Sequence, residues 1–262
     1  MRWDPAQYEL FADHRSRPFF DLVGRIGHHA PRRVVDLGCG SGELTAVLAQ
    51  RWPDAEVLGI DSSPEMVNAA RRRPHQPPNL AFAVGDVRDF RPAAGTDVVV
   101  SNAVLQWVQG HQELLVQWAS LLEEGAWLAV QVPGNFSAPS HTLMRGLADS
   151  ERWRGRLGGV LRHDDAVGSP DEYLRLLRGA GLETDAWETT YLHLLHGADP
   201  VLEWVRGTGL RPVLAALPEQ DAAEFEQAYA RDLRLAYPAE ADGATHFPFR
   251  RIFAVGVKSP TP

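Results

Sequence analysis

Three carboxylates in this chain share one kind of place, at the end of a short apolar run. Asp36 lies in Val34-Val35-Asp36-Leu37, just ahead of Gly38-Cys39-Gly40-Ser41-Gly42. Asp61 closes Val57-Leu58-Gly59-Ile60, and Asp86 follows the run from Leu80 to Val84. A buried strand that enters a glycine turn and then a helix brings backbone close to a ligand, because glycine lacks a Cβ and tolerates unusual φ/ψ. It also aims helix N-terminal amides at whatever sits in the loop. The dinucleotide fingerprint G-x-G-x-x-G needs a third glycine five residues after the first, and Glu43 stands there instead. The pattern is D-x-G-x-G-x-G. A pyrophosphate is repelled by Asp36 and Glu43, whereas an ammonium group is attracted. Asp61 is placed to hold a ribose diol, and Asp86 to meet an adenine amino group. Each acid alone could be an ordinary helix cap; three in register describe one ligand.

That ligand is S-adenosylmethionine. Its expected contacts are Asp36, Gly38, Cys39, Gly40, Gly42, Asp61, Ser62, Asp86, Val87 and Asn102. The elements that must hold them follow from periodicity. Strands and helices alternate from about 33 to 132, which predicts an α/β fold with a doubly wound, mostly parallel sheet. The helix after the glycine loop should turn Leu44, Val47 and Leu48 inward. Ser62-Ser63-Pro64-Glu65 reads as a capped helix start, and Pro74, Pro77 and Pro78 close that helix. Further strands are expected at 96–100 and 125–132. The runs 183–192 and 251–257 alternate more, as strands toward an antiparallel edge do, giving seven in all.

The expected organisation is one domain over 1–262. It has an N-terminal lid segment at 1–20, a cofactor core at 30–134, α-helical cap insertions at 135–170 and 195–245, and late strands at 182–194 and 246–258. A helix is expected near 140–149, a glycine-rich stretch follows at 155–159, and two helices fill 200–238. In the second of those, Phe225, Tyr229, Leu233 and Ala236 share a face.

Bulk properties narrow the partner. The net charge of −8 argues against a nucleic-acid substrate, which needs clustered positive charge. It leaves room for an anionic small molecule in a locally basic pocket. Lys258 is the only lysine, so nearly all positive charge is arginine. The one cysteine, Cys39, cannot form an internal disulfide and reads as a small buried filler, which suits the cytoplasm. No apolar run approaches the ~20 residues of a membrane span, and no signal-peptide pattern is visible. The ten histidines show no metal-ligand spacing.

With these residues in place, the chain resembles the class I S-adenosylmethionine-dependent methyltransferases and, within them, the trans-aconitate 2-methyltransferase family. The shared glycine motif is common to the whole class. More specific blocks are Trp3-Asp4-Pro5 with Tyr8, Arg15-Ser16-Arg17-Pro18, Ser101-Asn102-Ala103 with Leu105-Gln106-Trp107, Trp187-Glu188-Thr189-Thr190-Tyr191, Thr208-Gly209-Leu210-Arg211-Pro212 and Phe249-Arg250-Arg251-Ile252-Phe253. Ser41 departs from the pattern, since some relatives carry proline there. The resemblance implies methyl transfer to one carboxylate of trans-aconitate, forming a monomethyl ester on a Rossmann-like fold.

A carboxylate is already ionised at neutral pH, with a reference pKa near 4, so no general base is expected. Gln106 and Trp107 are expected to position the reactants. A bidentate arginine on the reacting carboxylate would dampen it, so arginines should hold the spectator carboxylates. Candidate substrate contacts are Tyr8, Arg15, Arg17, Trp107, Gln131, Asn135, Arg211 and Arg251. Each has an ordinary alternative. Arg15 and Arg17 fit a solvated helix face, Arg211 a helix C-terminus, and Trp107 core packing. Tyr191, His141 and His193 are weaker candidates. Rival functions are methylation of another acid, such as a carrier-bound malonyl group, and non-catalytic S-adenosylmethionine binding. The first would need a basic docking patch, and no long arginine run supplies one.

Overall fold

The computed structural model describes residues 12–162 and 166–260. Tyr8 falls outside these residues, as does the side chain of Arg15. The chain forms two compact units. One holds the described residues up to 132, with 167–188 and those from 252 on; the other holds 133–166 and 189–251.

The first unit is built on a sheet whose early strands are β1 (Arg33–Leu37), β2 (Glu56–Asp61), β3 (Leu80–Val84), β4 (Val98–Asn102) and β5 (Trp127–Pro133). β1 pairs in parallel with β2 and β4, β2 with β3, and β4 with β5. Val34, Leu37, Val98, Val99 and Val100 are fully buried, as central strands must be when both faces are covered. Two late strands, β6 (Leu182–His196) and β7 (Ala244–Lys258), complete the order β3-β2-β1-β4-β5-β7-β6. β7 reverses direction against β5: Lys258 N donates to Ala126 O at one end, and Gly134 N donates to Arg250 O at the other. The same reversed sense joins β6 and β7. Ser259 N donates to Gly181 O, and Trp187 stacks on Phe253 at 4.8 Å. The sheet therefore has the seven strands and mixed edge that the sequence predicts. β7 starts at Ala244, close to the 246 expected for the late strand but well ahead of the alternating run at 251, because Pro248 and the Arg250-Arg251 pair mask its alternation.

Seven α-helices lie between Ala12 and Gly179 among the described residues. α1 (Ala12–Val23) precedes β1, and α2 (Glu43–Arg51) follows the glycine loop. α3 (Pro64–Arg71) starts on Ser63, whose hydroxyl accepts from Met66 N at 3.2 Å. α4 (His111–Leu121) buries Leu115 and Trp118. α5 (Pro139–Ala148) opens the second unit, and α6 (Arg154–Leu157) is a single turn within the glycine-rich stretch. α7 (Pro170–Gly179), back in the first unit, begins with a reciprocal capping box between Ser169 and Glu172.

In α2 the inward set differs from the expectation. Leu48 is buried, but Leu44 and Val47 are only half-buried, and Thr45 and Ala49 take the inner face. Thr45 turns inward because its hydroxyl has a buried partner, described below.

In the second unit, α8 (Pro200–Arg206), α9 (Arg211–Ala216) and α10 (Glu219–Ala236) replace the two expected helices. The extra break follows from Gly207, Gly209 and Pro212, residues that end or restart helices. α10 packs on α5, α8 and α9. Phe225, Tyr229 and Leu233 are buried with Ala230, whereas Ala236 is exposed at the helix end. His193 is buried and stacks on Trp204 at 4.7 Å, beside Phe249. That is the structural role more usual for a strand histidine. Among the described residues, no helix is long and apolar enough to cross a membrane.

The single lysine has a specific task. Lys258 Nζ donates to Ala119 O at 2.9 Å and to Ala180 O at 3.1 Å, at the C-terminal ends of α4 and α7. A cation there satisfies two orphan carbonyls and opposes the negative end of each helix dipole. Lys258→Met is expected to lower stability by about 1–3 kcal/mol, read as a lower urea midpoint at unchanged slope.

Candidate active site

The glycine loop is fastened to the end of β2. Gly38 N and Cys39 N both donate to Ile60 O, at 2.7 and 3.0 Å. Gly38 has φ +77°, and a Cβ on it would meet Val104 Cγ2 at 2.1 Å. A side chain is excluded there by contact as well as by backbone angle. Gly40 also has a positive φ, +54°, but nothing lies within 4 Å of the place a Cβ would take. Its missing side chain leaves open space over the loop rather than room for a neighbour.

Two of the three acids converge on this loop. Gly40 N donates to one oxygen of Asp61 and Ser63 N to the other, each at 2.9 Å. The carboxylate is thus fixed in orientation, yet keeps acceptor sites, since it offers about four. Asp36 is 4% exposed, and Thr45 Oγ1 donates to it at 2.6 Å. Burial pushes the Asp36 carboxyl up to about 6; the Thr45 hydrogen bond pulls the other way, and Asp61 adds to the rise. Burial, with the nearby Asp36 and Asp61 charges, also raises the Cys39 thiol, so it stays protonated. Cys39 is half-buried rather than buried.

Asp86 is arranged differently. Arg88 embraces it, with Nε to Oδ1 at 2.9 Å and an ion pair at 2.5 Å, and this pair holds the carboxyl below its ordinary range. Its outer oxygens are shared with a cation that the spacing does not reveal. Val87 is buried in the core of the first unit, and Ser62 is exposed.

The ends of β4 and β5 bring three carboxamides together. Asn102 and Gln131 are register partners, and Gln106 follows in the 3-10 turn Leu105–Trp107. Gln131 is fully buried, and neither its Oε1 nor its Nε2 has a hydrogen-bond partner. Asn102 Oδ1 and Gln106 Oε1 are likewise buried and unpartnered. Such atoms are rare in native interiors, and each costs about 1–3 kcal/mol. Between these residues, Ala103 adopts φ +58°, a strained angle for a residue with a Cβ. It is clamped from two sides: its N–H donates to Gln131 O at 2.9 Å, and its carbonyl accepts from Gln106 Nε2 at 2.7 Å. Strain and unsatisfied polar atoms at one place are the marks of a ligand site. Trp107 is half-buried in the same turn.

In the second unit, Asn135 is buried. Its Oδ1 accepts from Arg250 N at 2.5 Å, while its Nδ2 has no partner. Arg251 is 6% exposed, and its guanidinium lies over the Phe249 ring at 4.4 Å. A cation this deeply buried gains from the negative face of the ring. Arg211 is half-buried and opens α9, five residues after α8 ends at Arg206. Arg17 is exposed on α1, in keeping with a solvated helix face. His141 packs on Phe136 and meets the Ser140 hydroxyl. Among the described residues, no group of three or more side chains could hold a metal ion.

A methyltransferase-domain family model matches residues 34–125. The trans-aconitate 2-methyltransferase of Streptomyces coelicolor is 56% identical over 98% of this chain and 86% of its own length. The enzyme of the same name from Rhodococcus jostii is 55% identical over 97% and 98%. The chain belongs to the trans-aconitate 2-methyltransferase family. Its fold is also similar to that of Haemonchus contortus phosphoethanolamine N-methyltransferase 2, solved with S-adenosyl-L-methionine. The TM-score is 0.55 and identity 17%, over 93% of this chain and 53% of that one.

Within this family member, two features of the site were not legible beforehand. Thr45 lies nine residues after Asp36, and its hydroxyl looks like any threonine in a helix. The strain at Ala103 has no signal in residue type. The buried Asp36 gives a testable consequence. Its folded pKa, about 6, lies above the ordinary 3.8. Folding therefore loses stability as pH rises from 3.8 through 6, by roughly 3 kcal/mol once both states are ionised. Asp36→Asn keeps an acceptor for Thr45 and removes the charge. It is expected to be the more stable protein at pH 7 and to show no such loss between pH 4 and 6, as measured by urea unfolding.

Proposed function

We propose that this chain transfers a methyl group from S-adenosyl-L-methionine to one carboxylate of trans-aconitate, giving a monomethyl ester and S-adenosyl-L-homocysteine. The near-full-length likeness to trans-aconitate 2-methyltransferases carries the substrate assignment. The residues present fit the cofactor. Open space over Gly40, an oriented Asp61 and a buried Asp36 that is ionised at neutral pH suit a ligand with a diol and an ammonium group.

When bound, the cofactor supplies an electrophilic methyl group on a sulfonium. In our reading Asp61 holds the ribose hydroxyls and Asp36 faces the ammonium group. Asp86 offers a remaining lone pair to the adenine amino group. Gly38, Cys39, Gly40, Gly42, Ser62, Val87 and Asn102 line the rest. The reacting carboxylate needs no base. Gln131, with Gln106 and Asn102, would hold it through neutral carboxamides, which orient an anion without a cation quenching its nucleophilicity. Arg251, with Asn135 and Arg211, would take spectator carboxylates, and Trp107 would exclude water. Orientation of this kind supplies roughly 7–11 kcal/mol in favourable cases. A role for the N-terminal segment, with Tyr8, Arg15 and Arg17, belongs to the same proposal. So do the helical insertions as a cap, and a cytoplasmic location. The net charge of −8 favours a small-molecule partner over nucleic acid. The comparisons do not favour a carrier-bound acid or a non-catalytic binder.

The test is turnover of S-adenosylmethionine across a panel of di- and tricarboxylates. Trans-aconitate is expected to be the fastest substrate. Arg251→Ala should raise KM for the acid by about 10-fold or more, and Gln131→Leu should lower kcat by about as much. Asp36→Asn should fail to bind the cofactor. No turnover on any acid, with cofactor binding intact, would sink the small-acid reading.

A further inference from the structure

Behind the turn that carries Gln106 and Trp107 runs a buried chain of hydrogen bonds. Val108 is the residue at which that turn ends. Its carbonyl meets His111 Nδ1 at 3.2 Å, and His111 Nε2 meets the Tyr173 hydroxyl at 2.7 Å. Gly168 N donates to the same hydroxyl at 3.2 Å. His111 is 1% exposed and Tyr173 2%. A carbonyl can only accept, so Nδ1 carries the imidazole proton. In the neutral ring Nε2 then accepts, and the Tyr173 hydroxyl must donate to it. Burial pushes Tyr173 up to about 12, which keeps it a donor at any working pH. For the neutral ring the order is Gly168 N–H to Tyr173, Tyr173 O–H to His111, His111 N–H to Val108.

The ends of this relay are what give it meaning. Gly168 is the second residue of the segment by which the chain returns to the first unit, which resumes at Val167. Val108 closes the turn that holds Gln106, whose amide clamps the strained Ala103. We propose that His111 and Tyr173 are positioning residues for methyl transfer. They fix the Gln106–Trp107 turn against the returning segment and so set where the reacting carboxylate sits. This rests on the reading of that turn as part of the substrate site.

A control for mere stability lies in the same pair of helices. α4 and α7 pack together. His111 and Tyr173 tie them near their N-termini, and Lys258 ties their C-terminal ends. Loss of either tie should loosen the helix pair, but only the first touches the turn. The experiment compares wild type, Tyr173→Phe, His111→Leu, His111→Gln, Lys258→Met and Gln106→Ala. Each is assayed for urea stability, cofactor Kd, and kcat and KM on trans-aconitate. Tyr173→Phe and His111→Leu should lose about 10- to 100-fold in kcat/KM, with cofactor Kd within about twofold. Lys258→Met should lose stability and keep its kinetics. His111→Gln, which restores one donor and one acceptor, should recover part of the rate. If Tyr173→Phe and His111→Leu behave like Lys258→Met while Gln106→Ala is impaired, the relay has no positioning role and the proposal falls. If Gln106→Ala keeps full activity, the site reading itself fails, and that result is told apart by this one variant.

Discussion

A carboxylate buried at the end of β1 is the constraint around which the first unit is arranged. Asp36 cannot be reached by bulk water, so its charge must be met by something placed beforehand. Thr45 meets it from one side, which turns α2 so that a threonine rather than Leu44 faces inward. That rotation fixes how α2 leaves the glycine loop. The loop in turn is pinned to β2 through Ile60 and to Asp61 through Gly40. Of two acids on adjacent strands, one thereby holds the five-residue turn itself and the other the helix that leaves it. The protein accepts a standing electrostatic cost at this position, and a cationic ligand is the kind of partner that offsets it.

A second cost sits at the ends of β4 and β5. Three carboxamides carry buried atoms that nothing in the protein satisfies, and Ala103 is bent into a glycine-like angle between them. Elsewhere the same chain is careful with its polar groups. Asn79 Nδ2 alone reaches three carbonyls in and just after the last turn of α2, and Arg71 reaches Phe82 O with two nitrogens. The contrast makes poor packing an inadequate explanation. Unsatisfied groups gathered at the carboxyl ends of parallel strands lie where ligands bind in open α/β sheets.

Much of this was readable from residue order, for a definable reason. Asp36, the glycines and Asp61 announce themselves because backbone geometry requires glycine at fixed offsets and strands end abruptly. The parallel core followed from apolar runs of strand length. What stayed hidden depends on three-dimensional neighbours. Arg88 beside Asp86 is only two residues away, but nothing in sequence says that the side chains fold together. The start of β7 was obscured by Pro248 and by charged residues that the fold buries. The third helix between 200 and 238 was missed because a break of four residues looks like a loop within one helix. His111 carries no signal of its own in the sequence, and only its contact with Tyr173, 62 residues away, gives it a part to play.

The lone lysine has a practical corollary for chemical labelling. Lys258 is the only side-chain primary amine in the chain, and its ammonium group is engaged by two carbonyls. Acylating reagents must reach the amine, and this one is tethered at the C-terminal ends of two helices. Amine-reactive dyes applied near neutral pH will therefore react mainly at the chain's α-amino group, giving close to one label per molecule. That stoichiometry holds only while the fold is intact, so a second label appearing under mild denaturant reports the release of α4 from α7.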